Sequence, residues 1–389
     1  MPKLNQDVVI VGTGETPVGR LHGVSGVEIQ AWAVRNALAD CGLTLRDVDG
    51  LVSQQPYNLP NSGYCLTVAE YLGLRIPYCA TLDIAGTATS VGMLQQAAWA
   101  IETGHCEVAV CVHGENSVTG RPKDTHGFAL QIFAGGEEFE APFGPPSPPA
   151  HYALYAQRYM HEYGTRQEDF GAVAVAHRNH ALLNDNAVMK KPITLEDYMA
   201  SKPIASPFKL LDCSIPVDGG GAVVVMSGKR ARKLGLKGIR MRSIVERVTH
   251  NAMVGGVAID ELGLEPAAKE LMNSAGIGPE DIDVAVVHDA FTISVILMLE
   301  TFGFAKRGEA GDYIRAGHAS LGGKCPLNTH GGLLSQGHFG GFLHTLEIIR
   351  QLQGKCGRRQ VEGARIGMVS GGGGIFAVTS GMIMEGPAQ

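Results

Sequence analysis

No long run of lysine and arginine interrupts this sequence, and its formal charge at pH 7 is −6. A surface that binds nucleic acid must neutralise phosphates with grouped cations, so the sequence argues against that class of partner. No Cys-x-x-Cys pair occurs among the eight cysteines, most of which sit in apolar stretches such as Cys106 to Cys111. They read as free thiols of a reducing compartment, the cytoplasm. Long apolar runs are missing too, since Val8 to Val11 is too short for a signal peptide or a membrane span. His, Cys and carboxylate residues show no metal-ligand spacing. Gly12-Thr-Gly14 lacks the third glycine of a dinucleotide turn, and the run Gly371 to Gly374 lacks the Gly-Lys-Ser/Thr of a phosphate loop. No metal or redox cofactor is implied.

What is present is a well-cored chain of 389 residues, 45% apolar and 18% charged, long enough for two or three domains. Buried-strand patterns (Val8 to Val11, Glu107 to Val112) alternate with amphipathic helical ones (Val27 to Cys41), which predicts an α/β fold. Gly42-Leu43 followed by Asp47-Val48-Asp49 recurs as Gly276-Ile277 followed by Asp281-Ile282-Asp283, displaced by 234 positions. A second in-order pair supports duplication, because helices ending at Gly104 and Gly354 each lead into an apolar strand. The expected halves are 1–230 and 231–389. An insertion over about 114–206, containing the proline-rich stretch Pro142 to Pro149, is expected to cover the site.

Two glycine-framed turns, His288-Asp289-Ala290-Phe291 and Gly337-His338-Phe339-Gly340, carry histidines of the kind that can hold an enolate oxygen. With Tyr159-Met160 to Tyr163-Gly164, Asp212-Cys213 to Ala222, Pro326-Leu327-Asn328 to Gly332 and the closing Gly371 to Gly374, they resemble the thiolase superfamily over nearly the whole chain. The branch resembled is that of sterol-carrier-protein-x and lipid-transfer-protein thiolases, in which His-Asp-x-Phe replaces Asn-Glu-Ala-Phe. The resemblance implies a five-layered αβαβα fold of two similar halves with an inserted loop domain, a coenzyme A thioester as substrate, and a homodimer or larger assembly.

Relatives open the helix after the third strand with a nucleophilic cysteine. Counting back from Gly104 places that position at Thr87, counting forward from the strand Thr81-Leu82-Asp83 places it at Gly86, and neither is a cysteine. A threonine hydroxyl is a poor nucleophile without an adjacent base, and the plainer expectation is that Thr87 and Ser90 cap a helix. Cys79 falls on the strand, while Cys325 is expected in a loop bordering the site. The resemblance assigns polarisation of the thioester oxygen to His288 and His338, with Asp289, Asn328 and His330 as further polar candidates. Ser370 stands near the second cysteine of classical relatives and cannot shuttle protons unaided near neutral pH.

A fold that keeps the oxyanion site and loses the nucleophile suits retro-aldol cleavage of a β-hydroxyacyl-CoA into a short acyl-CoA and an aldehyde or ketone. Thiolase-like retro-aldolases of steroid side-chain degradation work with a small DUF35-type OB-fold partner and use tyrosines, so the base is open among His288, His338 and a tyrosine. Two other readings are an acyltransferase that uses another thiol such as Cys325, and a non-catalytic acyl-CoA-binding subunit.

Overall fold

Helix α1 (Gly26–Asp40) starts where Ser25 and Glu28 exchange hydrogen bonds, the Ser25 N–H donating to the Glu28 carboxylate at 2.8 Å and the Glu28 N–H to Ser25 Oγ at 3.4 Å. Two otherwise unpaired amides are satisfied within the sequence itself. The inner face of α1, with Ile29, Ala33, Val34 and Ala37 fully buried, lies on strands β1 (Val8–Glu15) and β4 (Val108–Glu115). A Cβ at Gly14 would stand 2.2 Å from the Ala33 carbonyl, so the glycines of β1 serve close helix packing. The chain is seen in a computed structural model that describes residues 7–58, 61, 63–120, 138–144, 147–250, 253, 262 and 264–387.

Strands β2 (Gly50–Ser53), β3 (Tyr78–Thr81), β4, β7 (Gly219–Ser227) and β1 run in the order β3-β2-β4-β7-β1. The sheet continues through β8 (Ile239–Val248), β11 (Val378–Glu385), β10 (Ile366–Gly373) and β9 (Val284–Val286). Read from its far edge, the second group repeats the first: β9 is parallel to β10, β10 is antiparallel to β11, and β11 is antiparallel to β8. Its outermost strand is reduced to one parallel bridge between Leu327 and Ala285. Among the described residues the two groups are joined by the pairs Val9 with Arg240 and Ile10 with Ile239. A hairpin of β5 (Pro203–Ala205) and β6 (Phe208–Lys209) stands apart.

Between the groups run α3 (Ala88–Glu102) and α12 (Phe342–Leu352), each touching strands of both. Both are buried almost all round, which is the signature of a core helix. With α1 and α2 (Tyr64–Leu72) outside the first group and α8 (Leu264–Ala275) outside the second, the layers are αβαβα, the expected fold class. Between β4 and β7 lie α4 (Pro148–Tyr163), α5 (Gln167–Ala181) and α6 (Leu195–Ala200), while α7 (Gly228–Leu234) follows β7. Helix α5 packs on α9 (Thr292–Thr301), α10 (Ala310–Arg315) and α11 (Gly332–Ser335). Phe170 and Phe208, fully buried in that contact region, stabilise it by roughly 1.5–3 kcal/mol each. The proline-rich stretch 142–149 lies partly outside the described residues.

Strand β3 stops at Thr81, two residues short of the expected Asp83. The Asp83 carboxylate accepts from Ala85 N at 3.0 Å and from Thr89 Oγ1 at 3.2 Å, which turns the chain out of the sheet and into α3.

Candidate active site

Thr87 immediately precedes α3 and occupies its cap position, yet its hydroxyl makes no cap hydrogen bond. Oγ1 stands 2.8 Å from His288 Nδ1, accepts from Gly372 N at 2.9 Å and lies 3.2 Å from Gly372 O. The Thr87 N–H also donates to Gly372 O at 3.0 Å, lacing the helix start to the end of β10. Ahead of it Ala85 (φ 85°) and Gly86 (φ 54°) are both left-handed, and a non-glycine residue held there marks a conformation imposed by its surroundings. The expectation that Thr87 and Ser90 cap the helix is therefore corrected. Ser90 sits inside the first turn, where Oγ donates to Thr87 O at 3.1 Å and accepts from Thr345 of α12 at 3.0 Å.

Helix α12 starts after Gly341, also without a side-chain cap. A Cβ at Gly341 would lie 2.3 Å from Thr87 O and 2.6 Å from Ser90 Oγ, so the two helix starts touch. In contrast with the self-capped α1, both present uncapped N–H groups and positive potential to the same region. Counting back from Gly354 by the spacing that separates Gly104 from Thr87 gives Gly337 as the second start. It lies four residues later because α12 has 11 residues where α3 has 15.

His288 follows β9 and is 3% exposed. Burial pushes its imidazole down to about 3, helped by the charges of His344 and His338 against the opposing pull of Asp289, and its Nε2 is buried without a hydrogen-bond partner among the described residues. Asn328, at φ 47°, fixes the strand end before it, Oδ1 accepting from Val287 N at 2.8 Å and Nδ2 donating to Val287 O at 3.0 Å. His338 lies before α12 in a run bridged to Pro216, its N–H donating to Ile215 O at 2.7 Å. Its Nδ1 is 3.0 Å from Ser214 Oγ, and burial pushes the ring down to about 4. Burial favours the neutral form of both rings, and His338 is close enough for its charge to act on His288.

Asp289 is fully buried behind His288. Burial alone would raise its carboxyl, but the hydrogen bond from His344, the neighbouring His177 and the Leu333 N–H hold it well below the usual range. His330 is buried beside them, its ring centroid 5.3 Å from that of His344, with both nitrogens unpartnered among the described residues and the ring pushed down by burial to about 3. Glu347 of α12, held down to about 2 by Arg359 against its burial, closes this layer and accepts from Thr329 Oγ1 at 2.7 Å.

The structure thus brings Thr87, Ser90, His288, Asn328, Asp289 and His330 into one connected region, with His338 in electrostatic reach. Ser370 is not among them: its hydroxyl faces Met298 Sδ at 3.9 Å, on α9. Cys325 is buried at the opposite end of β9, near Asp283, and burial pushes its thiol up to about 12. Cys79 lies on β3, and burial likewise pushes its thiol up to about 12. Among the described residues no group of three or more His, Cys, Asp and Glu is placed to hold a metal. Nor is any helix long and apolar enough to cross a membrane.

Sequence reasoning passed over Ser214, His177, His344 and His113. The first stands beside the quoted Asp212-Cys213, and His344 is a polar residue on the buried face of α12, so both left a signal. His177 and His113 left none. His113, at the end of β4, is fully buried against Phe339 and Phe342, and burial pushes its ring down to about 4.

Residues 246–386 match a family model described as thiolase C-terminal domain-like. The chain is 35% identical over 390 residues to a steroid side-chain-cleaving aldolase from Thermomonospora curvata, covering 96% of this chain and 97% of the other. It is 34% identical over 394 residues to 17-hydroxy-3-oxo-4-pregnene-20-carboxyl-CoA lyase from Mycobacterium tuberculosis, covering 98% and 100%. Among solved structures, one titled Ltp2-ChsH2(DUF35) aldolase aligns with a TM-score of 0.87 at 34% identity over 99% of both chains.

Proposed function

Because this chain belongs to the thiolase superfamily, on the branch that includes the steroid side-chain-cleaving aldolase, we propose that it splits a β-hydroxyacyl-CoA by retro-aldol chemistry. A base removes the β-hydroxyl proton, the bond between the α and β carbons breaks, and the β carbon leaves as an aldehyde or ketone. The bonding pair passes to the α carbon and the thioester oxygen as an enolate, which takes a proton at carbon to give acetyl-CoA or propionyl-CoA. No acyl group is transferred to the protein at any point.

The observation that carries this reading is His288, buried and 2.8 Å from the hydroxyl of a threonine at an uncapped helix start, with a second buried imidazole, His338, in electrostatic reach of it. A neutral imidazole N–H donates to a growing negative charge without surrendering its proton, and each such donor is typically worth a factor of about 10²–10³ in rate. The region around Thr87 offers no low-pKa thiol to compete. Asp289, Asn328 and His330 are read as support for the His288 turn. We take the functional halves as 1–230 and 231–389. A small OB-fold protein of the DUF35 type is the expected partner, since the solved neighbour's title names one in its own complex. The chain is expected to act as a homodimer or larger, without metal or redox cofactor, and its free thiols suit the cytoplasm.

The test is incubation with β-hydroxyacyl-CoA esters, steroid carboxyl-CoA esters among them, while the released aldehyde or ketone is trapped. Wild type should release carbonyl and short acyl-CoA in equal amounts, and His288→Ala and His338→Ala should be slower by about 10²-fold. Wild type that releases neither product would remove the function. Variants as fast as the parent would remove the assigned site.

A further inference from the structure

We propose that Thr87, at the place where relatives carry a nucleophile, acts as a positioning residue that fixes the tautomer of His288, so that Nε2 carries the proton and points its N–H at the thioester oxygen. This deepens the function proposed above and rests on it for the identity of that oxygen. The tautomer itself is a property of the free protein.

The assignment follows from counting protons around one oxygen. Thr87 Oγ1 receives the Gly372 N–H at 2.9 Å, which uses one of its lone pairs. Its single proton then has two acceptors in reach, Gly372 O at 3.2 Å and His288 Nδ1 at 2.8 Å. The carbonyl already receives the Thr87 N–H at 3.0 Å, whereas Nδ1 has no other partner among the described residues. The reverse arrangement, with Nδ1 donating to the second lone pair of Oγ1 and the hydroxyl donating to Gly372 O, would place the hydroxyl proton in the longer contact, 3.2 Å against 2.8 Å, and it is the shorter contact that assigns the hydroxyl proton to Nδ1. A neutral imidazole with an accepting Nδ1 must carry its hydrogen on Nε2, the atom that is buried and unpartnered.

The ring cannot turn over to exchange its nitrogens freely. Its Cδ2 and Cγ lie only 3.0 and 3.1 Å from where a Cβ on Gly372 would be, so the bare glycine is what accommodates the imidazole, and Thr87 anchors its other edge. A serine would keep the proton. Valine, of nearly the same shape, would remove it while leaving the packing of α3 in place, and a proton-accepting Nδ1 would lose its donor.

The experiment is nitrogen NMR on the full-length protein labelled at histidine, with His288 assigned by comparison with His288→Gln. Wild type and Thr87→Ser should show His288 with a pyridine-like Nδ1 and a protonated Nε2, and Thr87→Val should show the other tautomer or a mixture. In turnover of a β-hydroxyacyl-CoA, Thr87→Val should lose kcat by roughly 10- to 100-fold with KM changed little, and Thr87→Ser should restore it. A wild-type spectrum with the proton on Nδ1 overturns the inference, as does a Thr87→Val protein with unchanged tautomer and rate. If wild type shows the expected tautomer but cleaves no β-hydroxyacyl-CoA, the proposed function fails and the inference about Thr87 stands.

Discussion

His344 Nε2 donates to Asp289 Oδ1 at 2.8 Å in the interior of the protein, where both residues are almost wholly shielded from water. The same carboxylate lies 3.3 Å from His177 Nε2 and accepts from Leu333 N at 3.0 Å. One buried anion therefore ties α12, the inserted helix α5 and the start of α11 to the turn that carries His288. Asp289→Ala leaves two imidazoles and a helix start unpaired in a dry interior, and breaking a buried charged cluster from one side costs about 3–5 kcal/mol. Urea unfolding should show that loss, and a change below about 1 kcal/mol would mean that the cluster does not hold the site together.

Thr87→Cys places a thiol at the uncapped start of α3, beside an imidazole, in an environment of the kind that lowers thiol pKa. The variant should gain an acyl adduct from acyl-CoA, seen as a mass increase of the intact protein. Wild type should show no adduct.

Gly341→Ala brings a methyl group to within 2.3 Å of the Thr87 carbonyl, so the two helix starts must move apart. The expected result is a loss of kcat of at least about 10-fold, because a misplacement of about 1 Å near the chemistry has large effects. Steady-state kinetics with KM and kcat separated will show it.

Acid stability carries a signature of the buried histidines. Burial holds His113, His180 and His338 down to about 4, and His288 and His330 down to about 3, whereas unfolded histidine titrates near 6.5. Below pH about 6.5 the unfolded chain binds protons that the folded one refuses, so the contribution is intact above that point and falls as pH drops toward the folded values. Each histidine adds a slope of about 1.4 kcal/mol per pH unit within that window. Glu347, held at about 2, acts only at lower pH. Urea midpoints should fall steeply from pH about 6 to about 4.5, and a flat profile would show that these rings are protonated in the fold.

Several elements were readable because their signals are local. Gly42 and Gly276 each end a helix in left-handed conformation, as their repeated contexts suggested, and Thr87 stands next to α3 where the count from Gly104 placed it. The corresponding count from Gly354 missed Gly341 because one helical turn is absent from α12, and spacing carries no record of a missing turn. The Thr87 to Gly372 bonds span 285 residues, and the His344 to Asp289 contact links two elements 55 residues apart. Such pairings are made by the layering of the two sheet halves, and nothing in the neighbouring residues announces them. Cys325 had the right neighbour in Pro326, but its strand end is the wrong one.

The most direct measurement follows the enolate itself. In D2O the protein should exchange the α-hydrogens of acetyl-CoA or propionyl-CoA, followed by NMR, with no protein adduct formed, and His288→Ala and His338→Ala should each slow that exchange by about 10²-fold. Exchange that proceeds equally fast in both variants, or that stops in wild type when its thiols are alkylated without unfolding, would contradict an enolate held by these two imidazoles.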